Sequence, residues 1–218
     1  MCHLRALLAN AIYFKAGWAS EFHERATQPR PFKLLDGATI NVATIWQTAG
    51  YRHAEDAGVT VVELPYIQPE VSMIVLAPSA GTFAEFERQL TLARLDALLA
   101  KLVGKQVDLR LPKFRFAAAL TIARSLCEIG LAEVMSPAAD LSGISDEPGF
   151  GIGEILHKTF IAVDEKGTEA AAVTAMMIAG AAPPAKSVTV EIDRPFYVLI
   201  RDNPTGTALF FGRVVDPR

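Results

Sequence analysis

Apolar residues recur along this chain mainly with a period of two, the spacing that puts alternate side chains on one face of a strand. Over residues 4–14, Leu4, Ala6, Leu8, Asn10, Ile12 and Phe14 share one face, and Arg5, Leu7, Ala9, Ala11 and Tyr13 share the other. Both faces are largely apolar, so a central strand is expected. Aliphatic and β-branched runs at 59–64, 71–76, 107–111 and 152–163 predict further strands, separated by Pro and Gly breaks. Helical spacing is confined to the middle of the chain. Thr82-Phe83-Ala84-Glu85 reads as a capping box, followed by Phe83, Phe86 and Leu90 on one face. A second helix is expected after Thr91, with Leu95, Leu98, Leu99 and Leu102 as its stripe. A third carries Ile122, Leu126 and Ile129 and stops at Gly130. Residues 188–192, 196–200 and 208–215 read as strands, with Asp202-Asn203-Pro204-Thr205-Gly206 as the turn of a terminal hairpin. The pattern is α+β.

Composition narrows the function more by exclusion than by pointing. With 218 residues, 51% hydrophobic and 21% charged, the chain can bury a sizeable core and reads as one domain. Its formal charge of -3 is small and both signs are scattered, which leaves no electrostatic footprint for nucleic acid or an anionic membrane. The apolar run at 6–14 is broken by Asn10 and falls short of the roughly 20 residues a span needs. Met1-Cys2-His3-Leu4-Arg5 lacks the layout of a secretory signal. Cys2 and Cys127 have no metal-ligand spacing and read as free thiols. His3, His23 and His53 read as surface or loop residues, and with His157 they offer no metal site. Gly149-Phe150-Gly151-Ile152-Gly153 precedes a strand rather than opening a helix, and no nucleophile elbow or His-Glu-x-x-His occurs. Neither an enzyme nor a cofactor is expected.

Several separated segments carry a resemblance: Asn10-Ala11-Ile12-Tyr13-Phe14-Lys15-Ala16-Gly17-Trp18, Leu111-Pro112-Lys113-Phe114, Ala139-Asp140-Leu141-Ser142-Gly143-Ile144 and His157-Lys158-Thr159-Phe160. With Asp164-Glu165-Lys166-Gly167-Thr168-Glu169-Ala170-Ala171-Ala172-Val173-Thr174, Asp193-Arg194-Pro195-Phe196 and Leu209-Phe210-Phe211-Gly212-Arg213-Val214-Val215-Asp216-Pro217, they resemble the serpin signatures in serpin order. The resemblance implies a serpin-type α+β fold, a large mixed sheet with smaller sheets and peripheral helices, truncated at its N-terminus. Residues 1–218 would be the C-terminal part of one serpin domain, with a reactive loop and hinge at 165–194. It also implies inhibition of serine proteases by a suicide-substrate route, in which the cleaved loop enters the large sheet between the strands at 4–14 and 152–163.

Insertion demands that alternate residues enter a packed interior. Thr168, Ala170, Ala172 and Thr174 form one such set, none bulky or charged, while Glu169, Ala171 and Val173 take the other face. A strand from Gly167 to Ala181 would span roughly 50 Å. One or two dozen backbone bonds to two neighbours at about 0.5–1.5 kcal/mol each would yield on the order of 10–20 kcal/mol. An alanine-rich surface helix with Thr168 as N-cap is the competing reading, favoured by propensity alone.

Carried over from the family, the reactive bond falls at Ala181-Ala182, with Met176, Met177 and Ile178 as secondary sites. A small apolar bait residue suits an elastase-like or subtilisin-like serine protease. The resemblance gives Asn10 and His157 a role in controlling the gap beneath the sheet, each a candidate for the other's hydrogen-bond partner. Trp18 would lie where insertion begins, and Lys113 with Glu165 would form an ion pair that steadies the hinge. The expected partner is the protease, with no nucleic acid or membrane, and a monomer if the full fold is present. The family favours an extracellular setting. The alternatives are a binding protein of serpin descent that never inserts its loop, or an inactive truncated chain.

Overall fold

The structure, a computed structural model, describes residues 5–136, 138–168 and 187–218. In chain order its elements are β1 (Arg5–Tyr13), β2 (Ala16–Gly17), β3 (Gln28–Lys33), β4 (Thr39–Asp56), β5 (Val59–Pro65) and β6 (Val71–Pro78). Helices α1 (Phe83–Gln89) and α2 (Leu92–Leu99) follow, then β7 (Val103–Pro112), β8 (Phe114–Thr121) and α3 (Ala123–Leu126). Strands β9 (Gly151–Val163), β10 (Gly167–Thr168), β11 (Val188–Glu191), β12 (Phe196–Asp202) and β13 (Ala208–Val214) complete the order. Among the described residues no helix is long and apolar enough to cross a membrane. Backbone contacts divide the chain into two compact units, residues 1–14 with 116–161 and residues 15–115 with 162–218.

In the second unit the sheet order is β11-β7-β4-β5-β6-β12-β13, with β3 also paired to β4. The expected hairpin is present: β12 and β13 pair antiparallel from Phe196↔Val214 to Arg201↔Ala208. Its other partner is β6, with Leu199 opposite Ile74 and Tyr197 opposite Leu76. Against this face α1 and α2 lay Phe83, Phe86, Leu98 and Leu99, which cluster with Val61, Ile74, Leu76, Tyr197 and Leu199. The expected stripe of the second helix is thus what holds it to the sheet, and Thr91 caps it by accepting from the Arg94 N–H at 3.2 Å. The capping box at the first helix does not form. The Thr82 hydroxyl turns back and donates to the Ser79 carbonyl at 2.8 Å, and Glu85 instead bonds Arg88 and Gln89 on the exposed face.

The 18-residue β4 was not predicted. It serves successive partners, β3 along Thr39–Thr44, β7 along Thr44–His53 and β5 along Arg52–Asp56, so its burial never settles into one alternation. His53 lies within it and corrects the surface assignment: it is 1% exposed and neither ring nitrogen has a hydrogen-bond partner. Burial pushes its pKa below the ordinary 6.5, the nearby Lys105 charge adds to that, and Glu55 opposes it.

In the first unit β9 lies between β1, its parallel partner, and β8. The expectation of a central β1 is corrected. Among the described residues β1 pairs with β9 alone, and Leu7, Leu8, Ile12 and Tyr13 are exposed. An apolar pattern on both faces records that both faces need covering, but it does not identify what covers them. Strand β8 was missed because Phe114–Thr121 is rich in alanine, which favours helix by propensity. The third helix does end where expected: after α3 the chain makes a π turn over Cys127–Leu131, with Gly130 at φ 103°. Cys127 is a free, half-buried thiol, and Cys2 lies outside the described residues.

Candidate functional site at the hinge

The site is built on five consecutive residues that follow β9, from Asp164 to Thr168. The Asp164 carboxylate accepts from the backbone N–H groups of Lys166 at 2.8 Å and Gly167 at 3.3 Å, folding the chain back on itself. The Asp164 N–H closes the turn on the Gly167 carbonyl at 2.9 Å. Strand β10 then runs antiparallel to both neighbours, Thr168 opposite Val163 on one side and Ala16 on the other, with Gly167 opposite Gly17.

Only glycine fits at 167. Its φ is 149°, and an added Cβ would stand 2.2 Å from the Ala16 carbonyl oxygen and 2.7 Å from the Gly17 Cα. Real Cβ atoms do not approach backbone that closely, so the tight seat of β10 against β2 depends on the missing side chain.

Thr168 is fully buried, and its Oγ1 lies 2.7 Å from the Tyr66 hydroxyl. The Tyr66 ring stacks on Trp18 with centroids 4.7 Å apart and planes 8° from parallel. Trp18, 2% exposed, donates from Nε1 to the Asp164 carbonyl at 2.9 Å. Asp164, Trp18, Tyr66 and Thr168 therefore form a closed circuit around the turn. Two backbone bonds reinforce it, from the Trp18 N–H to the Lys166 carbonyl at 2.9 Å and from the Phe22 N–H to the Glu165 carbonyl at 2.8 Å. Burial pushes the Tyr66 phenol well above its ordinary pKa, against a smaller opposing effect of the Thr168 bond.

The Glu165 side chain, 10% exposed, is held from two directions. Lys113 Nζ lies 2.8 Å from Oε2 and 3.1 Å from Oε1, and the Thr27 hydroxyl donates to Oε1 at 2.6 Å. Burial alone would raise this carboxyl, but the bonds from Lys113 and Thr27 outweigh it and hold the pKa below the ordinary 4.5. Lys113 sits between β7 and β8, fixed by its own N–H on the Ala43 carbonyl at 2.8 Å.

Asn10 and His157 are directly opposite in the β1–β9 register, so their side chains project from the same face. Asn10 is exposed and His157 half-buried, and among the described residues their side chains form no hydrogen bond. Burial of this pair, expected from the apolar face it interrupts, is corrected. Glu169, Ala170, Ala171, Ala172 and Thr174, together with Ala181 and Ala182, lie outside the described residues. Thr27 and Tyr66 escaped the sequence reading, and Asp164 was matched to the family pattern without a role. Tyr66 directly after a strand-ending Pro65 carries no local signal of its distant partners, whereas Asp164 two and three residues before two donor N–H groups fits an Asx turn.

Comparison with known proteins agrees along nearly the whole chain. A family model described as Serpin (serine protease inhibitor) matches residues 3–217. An uncharacterised serpin-like protein of Thermococcus kodakarensis is 34% identical over 216 residues, covering 98% of this chain and 50% of that protein. The leukocyte elastase inhibitor of Equus caballus is 35% identical over 226 residues, covering 98% of this chain and 59% of the inhibitor. Among solved structures, thyroxine-binding globulin in complex with thyroxine superimposes with a TM-score of 0.81 at 30% identity, over 97% of this chain and 56% of that one. Uncleaved ovalbumin gives 0.82 at 26% identity, over 97% and 54%. The chain thus spans about half the length of the curated relatives it matches. Matched over residues 3–217 and sharing the α+β fold of these structures, the chain belongs to the serpin family, whose members are in general protease inhibitors rather than enzymes.

Proposed function

We propose that this chain supplies the hinge and bait of a serine-protease inhibitor that works as a suicide substrate, its loop being cut and then drawn into the large sheet. The observation that carries the reading is the seat of Gly167-Thr168. The hinge already runs as a strand between Val163 and Ala16, with the Thr168 side chain fully buried. Ala170, Ala172 and Thr174 follow Thr168 at alternate positions, small enough to continue inward along the same strand. A loop meant to stay outside would be free to carry bulky or charged residues at those positions. Lys113 and Glu165 steady the point from which the loop departs. A bait bond at Ala181-Ala182 fits an elastase-like or subtilisin-like protease, and the partner is therefore a serine endopeptidase with a small apolar specificity pocket.

Incubation with pancreatic elastase, followed by denaturing electrophoresis, tests this directly. An adduct of chain and protease that survives denaturation is expected, with little reaction toward trypsin. Complete turnover to a cleaved chain with no adduct refutes the inhibitory reading. That outcome leaves a family member that binds without trapping; thyroxine-binding globulin, a structural neighbour, is solved in complex with thyroxine.

A further inference from the structure

The first unit has almost no interior of its own: among its described residues Ile161 alone is buried. Its three strands are neighbours in the order β8, β9, β1, and among the described residues β1 pairs with β9 alone, so its other edge is open. The seven residues from Leu7 to Tyr13 are exposed without a break. Four of them are large and apolar, with Leu7 58% exposed, Leu8 41%, Ile12 37% and Tyr13 53%. An open strand edge is a template for another strand, and edges that stay single are usually guarded by charge, proline or a bulge. Residues 7–13 contain neither a charge nor a proline. The register shift of the β1–β9 ladder lies before them, between Ala6 and Leu7.

This exposed run is complementary to itself. Placed antiparallel to a second copy, with a two-fold axis at its middle residue Asn10, it sets Leu8 opposite Ile12, Leu7 opposite Tyr13 and Ala9 opposite Ala11. Side chains alternate between faces along a strand, so Leu8 and Ile12 meet on one face of the sheet and Leu7 and Tyr13 on the other. Each of the four exposed apolar side chains gains an apolar partner, and no charge is buried. At the axis the two Asn10 amides face each other, each offering a donor and an acceptor. Moving the axis to Ala9 or Ala11 puts Asn10 opposite Leu8 or Ile12 and loses the match. We propose that the open edge of β1 pairs with β1 of a second copy of this chain, joining the two first units into one sheet of order β8-β9-β1-β1-β9-β8. The contact is closed, because each copy spends its single open β1 edge on the other. It is also small. Seven residues at about 3.4 Å and a sheet about 10 Å thick give an edge of about 240 Å² on each copy. A standard interface uses about 800 Å² per partner, so the dimer is reversible and forms in the micromolar range. It does not depend on loop cleavage or insertion, and it stands or falls separately from the inhibitory reading.

Sedimentation velocity on the whole chain, from about 1 to 200 μM, reads the association. A monomer–dimer equilibrium with a Kd of about 10–100 μM is expected. Asn10→Lys and Asn10→Glu, at an exposed position, each set like charges opposite one another at the axis, and each should raise the Kd about tenfold or more. An equimolar mixture of the two sets Lys opposite Glu and should restore association to at least the parent level. Such complementation separates a contact across the axis from damage to the fold, which mixing does not repair. Circular dichroism establishes that both variants are folded. If either is not, Leu8→Lys and Ile12→Glu replace them, because those positions face each other only between copies. A chain that stays monomeric throughout, variants that associate like the parent, a mixture no tighter than its components, or species that grow past two copies overturns the proposal.

Discussion

Replacing Gly167 with alanine tests whether the hinge seat is held by close backbone approach. The new methyl would stand 2.2 Å from the Ala16 carbonyl oxygen and 2.7 Å from the Gly17 Cα. Both obstacles are backbone atoms of β2, so no side-chain rotation relieves them, and β10 must move away. Moving it breaks the pairing of Gly167 with Gly17 and of Thr168 with Ala16, and withdraws the Thr168 hydroxyl from Tyr66. Loss of one buried hydrogen bond costs about 1–3 kcal/mol, and any strain retained at a φ suited to glycine adds about 1–2 kcal/mol. The sum, about 2–5 kcal/mol, corresponds to a Tm lower by roughly 5–15 °C in a chain of this size.

Thermal denaturation followed by circular dichroism measures that loss. Acrylamide quenching locates it, in a Trp46→Phe background where Trp18 is the remaining indole. Trp18 is 2% exposed and stacked on Tyr66, so it is shielded in the parent and should become accessible in Gly167→Ala. Gly104→Ala serves as control, because a Cβ there meets nothing within 4 Å and the change should be nearly silent. A Gly167→Ala chain as stable as the parent, with Trp18 equally protected, would show that the backbone contact does not hold the hinge.

Lys113→Ala removes the cation from Glu165 and leaves the carboxylate with Thr27; because the lysine is 37% exposed and screened by solvent, about 1 kcal/mol is expected. Unchanged urea denaturation in that variant, together with an unchanged rate of loop insertion, would dismiss the steadying role. Two groups, His53 and Glu165, contribute to the acid side of the stability profile in separable windows. The folded pKa of His53 is lowered, so as pH falls below 6.5 the unfolded chain takes up a proton that the buried ring resists, and stability drops. Urea midpoints between pH 7 and 5 should show that slope, and His53→Leu should flatten it; a parent profile that is flat there contradicts the burial argument. The folded pKa of Glu165 is also lowered, so its contribution is complete above 4.5 and is lost as pH falls through the folded value, a loss that Lys113→Ala should diminish.

Strands buried on both faces, which read as nearly unbroken apolar runs, were legible in the sequence. The runs at 59–64 and 71–76 fall within β5 and β6, where Val61, Val62, Ile74 and Val75 are all fully buried. Strand β4 was not legible, because its partners change along its length and its exposed residues, among them Asn41, Thr48 and Gly50, follow no single face. The hinge residues could be named from their family pattern, and with them Lys113 and Trp18, yet Tyr66 and Thr27 could not, nor could the atoms that Trp18 reaches. Tyr66, Thr27 and Trp18 reach Thr168, Glu165 and Asp164 across separations of 102, 138 and 146 residues, and no local spacing encodes such contacts. His53 reads as an ordinary polar residue between Arg52 and Ala54. Its neighbour across the pairing with β5 is Val62, which is fully buried and which only pairing brings beside it.

The pairing of β1 with β9 changes the energetics that insertion would have. Nine residue pairs join these strands in parallel, from Arg5↔Gly151 to Tyr13↔Phe160. A segment entering between them as a continuation of β10 must first part that parallel ladder, then form an antiparallel one on each side, so the gain is about that of one new ladder rather than two. At about one bond per residue pair and 0.5–1.5 kcal/mol per bond, nine positions contribute about 5–13 kcal/mol net. That is less than the 10–20 kcal/mol obtained by counting bonds to both neighbours without the ladder that is lost. Any further gain would have to come from side chains. Leu7, Leu8, Ile12 and Tyr13 of β1 are exposed, and a third strand with small residues on one face would add apolar cover only where its own side chains reach. In a hinge made of alanine and threonine that contribution is small. The backbone ladder therefore dominates any driving force, and a proline placed at an inward position such as Ala172, which deletes a ladder donor, should impair insertion more than a larger apolar residue there.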